Sequence, residues 1–303
     1  MTADAVLLIA FGGPTQPSEI RPFLENVTRG RRIPPERLDE VAHHYDLMGG
    51  RSPLNELTFR QADGLRAALG GAPPVYVGMR NWAPYLADTL TEMADAGVRR
   101  AVGVILSPHA TEASRERYIE TVDAGRAALG ARAPEIRYVP TWHRHPLYVE
   151  AVAEGVAEAL GRLPADRRAD ATLVFTAHSV PVAMAAASPY VAEITASSQA
   201  VAERLGHARW QVAYQSRSGN PREPWLEPDV NDALRTLAAA GTRDVVIVPI
   251  GFVCDHVEVL YDLDVEARAT AQSLGMGFAR AGAVNDRPRF VAMLADVVRA
   301  AVR

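Results

Sequence analysis

The sequence has 303 residues, which is enough for two modest domains or one large one. Hydrophobic residues make up 48% and charged residues 22%, as is usual for a soluble globular protein. A formal net charge of −4 gives no electrostatic basis for binding nucleic acid. No apolar run approaches the roughly 18 residues of a membrane span, and Asp4 lies where a signal peptide would carry positive charge. We therefore expect a cytoplasmic protein, and we expect it to be a monomer.

Cys254 is the single cysteine of the sequence. One thiol excludes a disulfide within the chain, and it excludes any zinc or iron–sulfur site built from several cysteines of one chain. A lone cysteine is also typical of a reducing compartment.

Short apolar runs alternate along the chain with longer segments of helical spacing. The predicted strands cover residues 5–11, 75–79, 101–106, 136–140, 173–177, 210–215, 244–249 and 277–280. The predicted helices include 84–97, 145–160 and 287–303. Apolar strands that are separated by helices are typical of parallel sheets covered on both faces. The sequence therefore predicts an α/β fold.

The sequence also contains an internal repeat. MADAGVRRAVGVILSPHA (93–110) is similar to LAAAGTRDVVIVPIGFV (237–253), since each has a helix end, a glycine, a short turn and an apolar strand. This repeat predicts two similar halves, which we place at residues 1–143 and 144–286. Residues 287–303 read as an amphipathic helix that packs back on the first half.

Ligands of open parallel sheets bind beyond the carboxyl ends of the strands. His178 follows a predicted strand in TAHSVP, where a neutral imidazole is suited to accept a proton or bind a metal. A half-buried histidine bonded to a loop carbonyl is the alternative interpretation. His109, in SPHA, is a weaker candidate at another strand end.

Carboxylates are spaced four residues apart after another strand, in FVCDHVEVLYDLDVEA (252–267). Glu258, Asp262 and Glu266 are neighbours on one helix face if this segment is α-helical, and like charges at that spacing are destabilising. Asp255 is the predicted N-cap. A solvated acidic face is one interpretation, and a ridge of oxygen ligands that handles a divalent cation is the other.

Common nucleotide and hydrolase motifs are missing from the sequence. FGGPTQP (11–17) lacks the third glycine of a dinucleotide fingerprint, and neither GxxxxGK[ST], HExxH nor GxSxG occurs. The basic turn TRGRR (28–32) suits carboxylate groups of a ligand, although ordinary surface charge explains it equally well.

Several separated motifs resemble those of the ferrochelatases, over essentially the whole chain. They are FGGP, RPFLENVTRGRRIPPERLDEVAHHY, GGRSPLNELT, TAHSVP, AYQSRSG with PWLEPDV, and PIGFVCDHVEVLYDLDVEA. The resemblance is strongest to actinobacterial members of that family. It implies two flavodoxin-like (Rossmann-like) halves, each a parallel sheet flanked by helices, with a cleft between them.

The resemblance also implies an activity, the insertion of Fe²⁺ into a porphyrin, without an organic cofactor. It implies that His178 and Glu258 form the catalytic pair and contact the metal, together with Asp262 and Glu266 of the acidic ridge. Some actinobacterial relatives hold an iron–sulfur cluster on several cysteines, and a chain with Cys254 alone cannot reproduce it.

Further positions of the family motif imply contacts with the substrate. Ser52 and Tyr118 are similar to residues that hold propionates in the coproporphyrin branch. Phe11 occupies a position that is a tyrosine in some relatives, where it reaches the metal of the product. His44 stands where other relatives have an arginine near a propionate. We add Arg29 of the basic turn as a candidate ligand of a substrate carboxylate.

The sequence leaves alternatives open. Coproporphyrin III is the substrate that we expect, and protoporphyrin IX is its closest rival. A non-catalytic carrier of tetrapyrroles or metal on the same scaffold is a rival of another class. A hydrolase with His178 as its base lacks a paired nucleophile.

Overall fold

The computed structural model describes residues 3–30, 33–218 and 222–302. The chain divides into two compact units. Unit 1 comprises the residues up to Ser107, Ala113–Pro140 and the residues from Phe290 onward, and unit 2 comprises Pro108–Glu112 and Thr141–Arg289. The boundaries of the predicted halves, at residues 143/144 and 286/287, remain predictions.

Each unit contains one four-stranded sheet in which every pair of neighbouring strands is parallel. The strands are β1 (Ala5–Ala10), β2 (Val75–Met79), β3 (Arg100–Ile105), β4 (Glu135–Tyr138), β5 (Thr172–His178), β6 (Trp210–Gln215), β7 (Asp244–Val248) and β8 (Gly277–Arg280). Their order is β2-β1-β3-β4 in unit 1 and β6-β5-β7-β8 in unit 2. The same order in both sheets confirms the predicted α/β fold with two similar halves.

Helices connect and cover the strands. They are α1 (Pro17–Val27), α2 (Pro35–Leu47), α3 (Leu54–Ala68), α4 (Leu86–Asp95), α5 (Arg117–Leu129), α6 (Pro146–Gly161), α7 (Val182–Ala186), α8 (Tyr190–Leu205), α9 (Val230–Ala239), α10 (Val257–Val259), α11 (Arg268–Ser273) and α12 (Pro288–Val302). The described residues also form two π-helices, π1 (Glu112–Glu116) and π2 (Leu260–Ala267), and 3₁₀ turns at Gly130–Arg132 and Ala165–Asp170. No helix of the described ranges is both long enough and apolar enough to cross a membrane.

The central strand of each sheet is apolar because both of its faces are covered. All six residues of β1 are buried, as are the first six of β5. On one face of β1, Leu7 and Ile9 pack with helices α4 and α5 in a single cluster. In unit 2, Val174 packs with β7 and α9 in the same way. Burial on both faces is what favours Val, Ile and Leu throughout a parallel strand.

Helix α12 belongs to unit 1 although it ends the chain. Arg137 and Arg299 donate hydrogen bonds to the carbonyl oxygens of Ala301 and Ala68. Gly64 of α3 faces Val291, and a Cβ added at Gly64 would lie 2.9 Å from a Val291 methyl carbon. The missing side chain at Gly64 therefore allows α12 to approach α3 closely.

The segment with the acidic spacing does not form the continuous α-helix that the sequence predicted. It consists of α10, then π2, then α11. Asp255 is also not the N-cap, since helix α10 begins after His256, whose side chain makes no capping bond. Asp255 instead accepts a hydrogen bond from Arg280 at 2.7 Å.

The π-helix explains why the sequence repeats every four residues there. The buried residues Val259, Leu263, Ala267 and Ala271 are spaced by four and join one core cluster. In an α-helix a step of four residues turns the direction by about 40° beyond a full turn. The wider i→i+5 winding of a π-helix reduces that overshoot. The apolar positions therefore stay on one side, and the carboxylates that precede them stay together.

The loop after β7 packs directly on β5. The Gly251 amide donates to the Thr176 carbonyl oxygen at 3.0 Å. A Cβ at Gly251 would lie 2.7 Å from the Ala177 Cβ and 2.8 Å from its Cα.

Gly251→Ala should therefore reduce the free energy of unfolding by about 1–3 kcal/mol through overpacking, as measured by urea unfolding.

Gly161→Ala is the matched control, because a Cβ added at this last residue of α6 meets no atom within 4 Å. It should be neutral or should stabilise the protein by up to about 1 kcal/mol. If Gly251→Ala were as stable as the parent, the close packing of this loop on β5 would be contradicted.

Candidate active site

The order of the strands places one switch point in each sheet. Neighbouring strands β5 and β7 lie at the point where the strand order of unit 2 reverses, and β1 and β3 do so in unit 1. Crevices at such points, beyond the carboxyl ends of the strands, are the usual ligand sites of open α/β sheets. His178 ends β5, and Glu258 follows β7.

His178 is held by hydrogen bonds on both its backbone and its ring. Its Nδ1 lies 2.5 Å from the carbonyl oxygen of Ser179. Since a carbonyl oxygen only accepts, Nδ1 carries the proton and Nε2 keeps its lone pair. The Tyr190 hydroxyl, on α8, donates to the His178 carbonyl oxygen at 3.0 Å. The ring is therefore fixed in the form that can accept a proton or bind a metal through Nε2.

Ser179 is itself anchored on two sides. Its amide donates to the Gln215 carbonyl oxygen at 2.7 Å, and its hydroxyl donates to the Leu226 carbonyl oxygen at 2.9 Å. Gln215 is the register partner of His178 across β5 and β6. The carbonyl that orients the imidazole is thus fixed by the sheet.

Glu258 is the carboxylate that the structure brings to this histidine. Its Oε1 lies 3.8 Å from His178 Nε2, and the two side chains are 45% and 31% exposed. Glu258 lies in the first turn of α10, where the helix dipole favours negative charge. The pair therefore combines a proton acceptor and a solvent-accessible carboxylate within one site.

Asp262 lies deeper than its neighbours in the acidic ridge. It accepts hydrogen bonds from the Ser216 hydroxyl and from Gln215 Nε2, the latter at 3.4 Å. Burial, and after it the charge of Glu258, raises the pKa of Asp262 to about 7, and the charge of Glu266 adds to this effect. The repulsion among the carboxylates of the ridge is therefore reduced, because Asp262 is protonated over much of the acidic pH range.

The loop before Glu258 is fixed by ion pairs with one arginine. Arg280, whose side chain is 11% exposed, contacts Asp255 at 2.7 Å and Asp264 at 2.8 Å. Asn285 Nδ2 donates to the second oxygen of Asp255 at 2.8 Å, and the Asp255 amide donates to Asn285 Oδ1 at 2.8 Å. Burial lowers the pKa of the intervening His256, which keeps that ring neutral.

The described residues contain no group of three or more His, Cys, Asp or Glu side chains arranged to hold a metal ion. His178, Glu258, Asp262 and Glu266 therefore do not form a closed metal cage. Cys254, the single thiol, is buried, and one cysteine cannot ligate a cluster that needs several thiolates.

The substrate-contact candidates of unit 1 differ widely in exposure. Phe11 directly follows β1, is 39% exposed, and packs edge-on against Phe23. Ser52 is 5% exposed, and its amide donates to the Pro14 carbonyl oxygen at 2.8 Å. Arg29 is exposed at the end of α1. The other two arginines of the basic turn, Arg31 and Arg32, lie outside the described residues.

Tyr118 lies in a less accessible environment than its sequence motif suggested. Its ring belongs to the apolar core of unit 1, and only 7% of the residue is exposed. Burial raises the pKa of its phenol well above the usual range. The guanidinium carbon of Arg80, a residue that directly follows β2, lies 6.0 Å from the ring centroid.

The remaining histidines of the sequence motifs lie in other environments. His109 is 1% exposed, its Nε2 lies 2.7 Å from the Ser197 hydroxyl, and burial lowers its pKa to about 3. His145, which directly precedes α6, was not a candidate and accepts a hydrogen bond from the Leu147 amide. His44 lies on helix α2.

Sequence reasoning assigned no role to Gln215, Ser216, Tyr190, Arg280 or Asn285. Gln215 and Ser216 lie in the motif AYQSRSG at the carboxyl end of β6. The same rule about strand ends that selected His178 could have selected them. The other three are recognised only from three-dimensional contacts, because they lie far along the chain from their partners.

Asp262→Asn tests the electrostatics of the ridge in metal-free buffer. The unfolded chain releases this proton near pH 4, whereas the folded protein keeps it up to about pH 7. Stability therefore falls as the pH rises through this interval. An amide, which cannot ionise, should raise Tm by about 2–4 °C at pH 8 and much less at pH 5.

Glu135→Gln, at an exposed position of β4, is the control. Its effect on Tm should be small and similar at both pH values. Equal shifts for Asp262→Asn at pH 5 and pH 8 would show that Asp262 ionises normally.

Comparison with known proteins agrees with these observations. The family model described as Ferrochelatase matches residues 3–302. A coproporphyrin III ferrochelatase of Mycobacterium avium (strain 104) is 48% identical over 301 residues, with 98% of this chain and 88% of the relative covered. That of Mycolicibacterium smegmatis is 45% identical over 304 residues, with 98% and 89% covered.

Solved structures show the same fold at low sequence identity. The sirohydrochlorin chelatase SirB from Bacillus subtilis, in complex with cobalt, aligns with a TM-score of 0.59 at 12% identity, covering 97% of this chain and 93% of that one. DR2241 from Deinococcus radiodurans aligns with a TM-score of 0.56 at 16% identity, covering 97% and 54%. The family match and the curated relatives show that the chain belongs to the ferrochelatase family.

Proposed function

We propose that this protein inserts Fe²⁺ into coproporphyrin III and releases two protons. The observation that carries the proposal is the pair at the carboxyl ends of β5 and β7, in which His178 Nε2 and Glu258 Oε1 lie 3.8 Å apart. Membership of the ferrochelatase family and the names of the mycobacterial relatives support the reaction and the porphyrin.

Metal insertion requires the porphyrin to lose the protons of two pyrrole N–H groups. His178 accepts one of them at Nε2, since its Nδ1–H is already engaged with the Ser179 carbonyl oxygen. An imidazole suits this task, because it can take a proton on one nitrogen while the other nitrogen stays hydrogen-bonded. The fixed orientation of the ring directs the basic nitrogen toward the substrate.

Glu258 accepts or relays the second proton and attracts the incoming cation. Its exposure allows it to exchange protons with solvent. Asp262 and Glu266, the next carboxylates of the ridge, supply or tune the cation. Hard oxygen ligands with incomplete coordination bind a hydrated divalent ion without trapping it.

The candidates of unit 1 contact the porphyrin, and three of them contact its carboxylates. Ser52 lies beside the FGGP loop, where a Cβ added at Gly13 would lie 3.1 Å from the Ser52 Cβ. Arg29 offers an exposed guanidinium to a propionate, Phe11 offers an apolar surface to the macrocycle, and Tyr118 offers its hydroxyl. Coproporphyrin carries four propionates and protoporphyrin two. Contacts with propionates therefore favour binding of coproporphyrin.

His178→Ala should reduce iron insertion by about 100-fold or more, as expected for the loss of a general base. The fold should be retained, because the half-exposed ring contributes little to the core. Turnover with ferrous iron and both porphyrins, followed by absorbance under anaerobic conditions, measures this effect. His43→Ala, an exposed histidine on α2, should behave like the parent. Turnover of His178→Ala within a few-fold of the parent would remove this residue from the mechanism.

Glu258→Gln and Glu266→Gln separate chemistry from cation supply. Glu258→Gln should lower turnover by about 10-fold or more even at saturating iron, because it removes a proton acceptor. Glu266→Gln should mainly raise the iron concentration that gives half-maximal turnover. Equal losses at saturating iron in both variants would contradict this division of roles.

A further inference from the structure

Two residues other than glycine have a positive φ angle in the described part of the chain, Ser216 at 62° and Asn285 at 47°. Both use their side chains to bond a carboxylate of the segment 255–262. The Ser216 hydroxyl donates to Asp262 Oδ2, and Asn285 Nδ2 donates to Asp255 Oδ2 at 2.8 Å. The left-handed conformation is unfavourable for residues with a Cβ, and such strain concentrates at functional sites.

Ser216 is the less expected of the two. Asn adopts the left-handed conformation several-fold more often than other residues with a Cβ, and Gly adopts it without cost. Serine has neither advantage, so its hydroxyl is what distinguishes it from a glycine at this position. Ser216 directly follows β6, and the left-handed turn there brings the hydroxyl to Asp262 of π2.

Gln215 completes this contact from inside the sheet. The residue is 1% exposed, and its Nε2 lies 3.4 Å from both the Ser216 hydroxyl and Asp262 Oδ2. Both described hydrogen bonds to Asp262 therefore end on Oδ2, which leaves Oδ1 for a cation. Gln215 Oε1 is buried and has no hydrogen-bond partner among the described residues.

We infer that Ser216 positions the carboxylate of Asp262 and thereby sets the iron concentration that the enzyme needs for turnover. Its hydroxyl holds one oxygen of Asp262, so that the other faces the route of the cation along the acidic ridge. This role rests on the proposed function, and it predicts an effect on the dependence of turnover on iron rather than on turnover at saturating iron.

Ser216→Gly separates the hydroxyl from the backbone conformation. Glycine keeps the positive φ without strain and removes the Cβ together with the hydroxyl, whereas Ser216→Ala removes only the hydroxyl. The variant should raise the half-saturating iron concentration by about threefold or more while turnover at saturating iron changes by less than about twofold. Ser216→Ala should raise the half-saturating iron concentration to a similar extent as Ser216→Gly. Ser273→Ala, which removes an exposed hydroxyl that bonds the Thr270 carbonyl oxygen, is the matched control and should leave both quantities unchanged.

A double-mutant cycle with Asp262→Ala shows whether the hydroxyl acts through that carboxylate. In the Asp262→Ala background, Ser216→Gly should have no further effect on iron dependence. Thermal unfolding gives a readout that does not require activity. Ser216→Gly should raise Tm more, or lower it less, in the Asp262→Ala background than in the parent, because the bond from the Ser216 hydroxyl to Asp262 is already absent there.

These measurements distinguish a failure of the proposed function from a failure of the role of Ser216. A parent protein that failed to insert iron would overturn both the proposed function and the role of Ser216. With an active parent, an unchanged iron dependence in Ser216→Gly would overturn the role of Ser216 alone. Equal Tm shifts in the two backgrounds would show that the Ser216 hydroxyl and Asp262 are not coupled, and would overturn it as well.

Discussion

The geometry of the candidate site in unit 2 depends on the buried guanidinium of Arg280. This cation bonds Asp255, in the loop that leads to Glu258, and Asp264, in the π-helix that carries the acidic ridge. A cation with 11% exposure is stable only when its charge is matched and its donors are satisfied. Two carboxylates meet both requirements, so the loop and the π-helix are held together by the same group. The position of Glu258 relative to His178 follows from this arrangement, because Glu258 lies between the two anchored aspartates in sequence.

The neutralised carboxylates and the ridge carboxylates therefore have different physical roles. Asp255 and Asp264 face a cation, and Arg268 adds a second contact to Asp264 at 2.9 Å. Asp262 is neutralised in another way, since burial and neighbouring negative charge favour its protonated form. A segment that appears uniformly acidic in sequence thus contains two carboxylates in ion pairs with arginines and one whose protonated form is favoured by burial.

Much of the fold was predictable from the sequence, since the apolar runs and helical spacings report local structure directly. The ranges 75–79, 210–215 and 277–280 coincide with β2, β6 and β8, and the repeat correctly indicated two similar sheets. His178 was recognisable as a candidate because strand ends in parallel sheets are the usual positions of ligand-binding residues, and the structure places it at the end of β5. The π-helix was not recognisable, because a four-residue period suits an α-helix almost as well, and the choice was made by how Val259, Leu263 and Ala267 pack. Asp255 looked like an N-cap because its partner Arg280 lies 25 residues away, beyond the reach of any local pattern.

Backbone strain and side-chain chemistry are linked at this site. The β6 strand must turn sharply after Gln215, and a glycine would make that turn at no conformational cost. Ser216 adopts the less favourable left-handed conformation and places its hydroxyl against Asp262, the ridge carboxylate that is largely buried. Asn285 does the same for Asp255 from the opposite side of the segment. The two left-handed residues thus fix the ends of a single stretch of chain, and between those ends lies Glu258, which shares its site with His178. Rigidity at both ends allows the carboxylate between them to remain half-exposed without losing its position, as its proposed role in exchanging protons and cations with solvent requires.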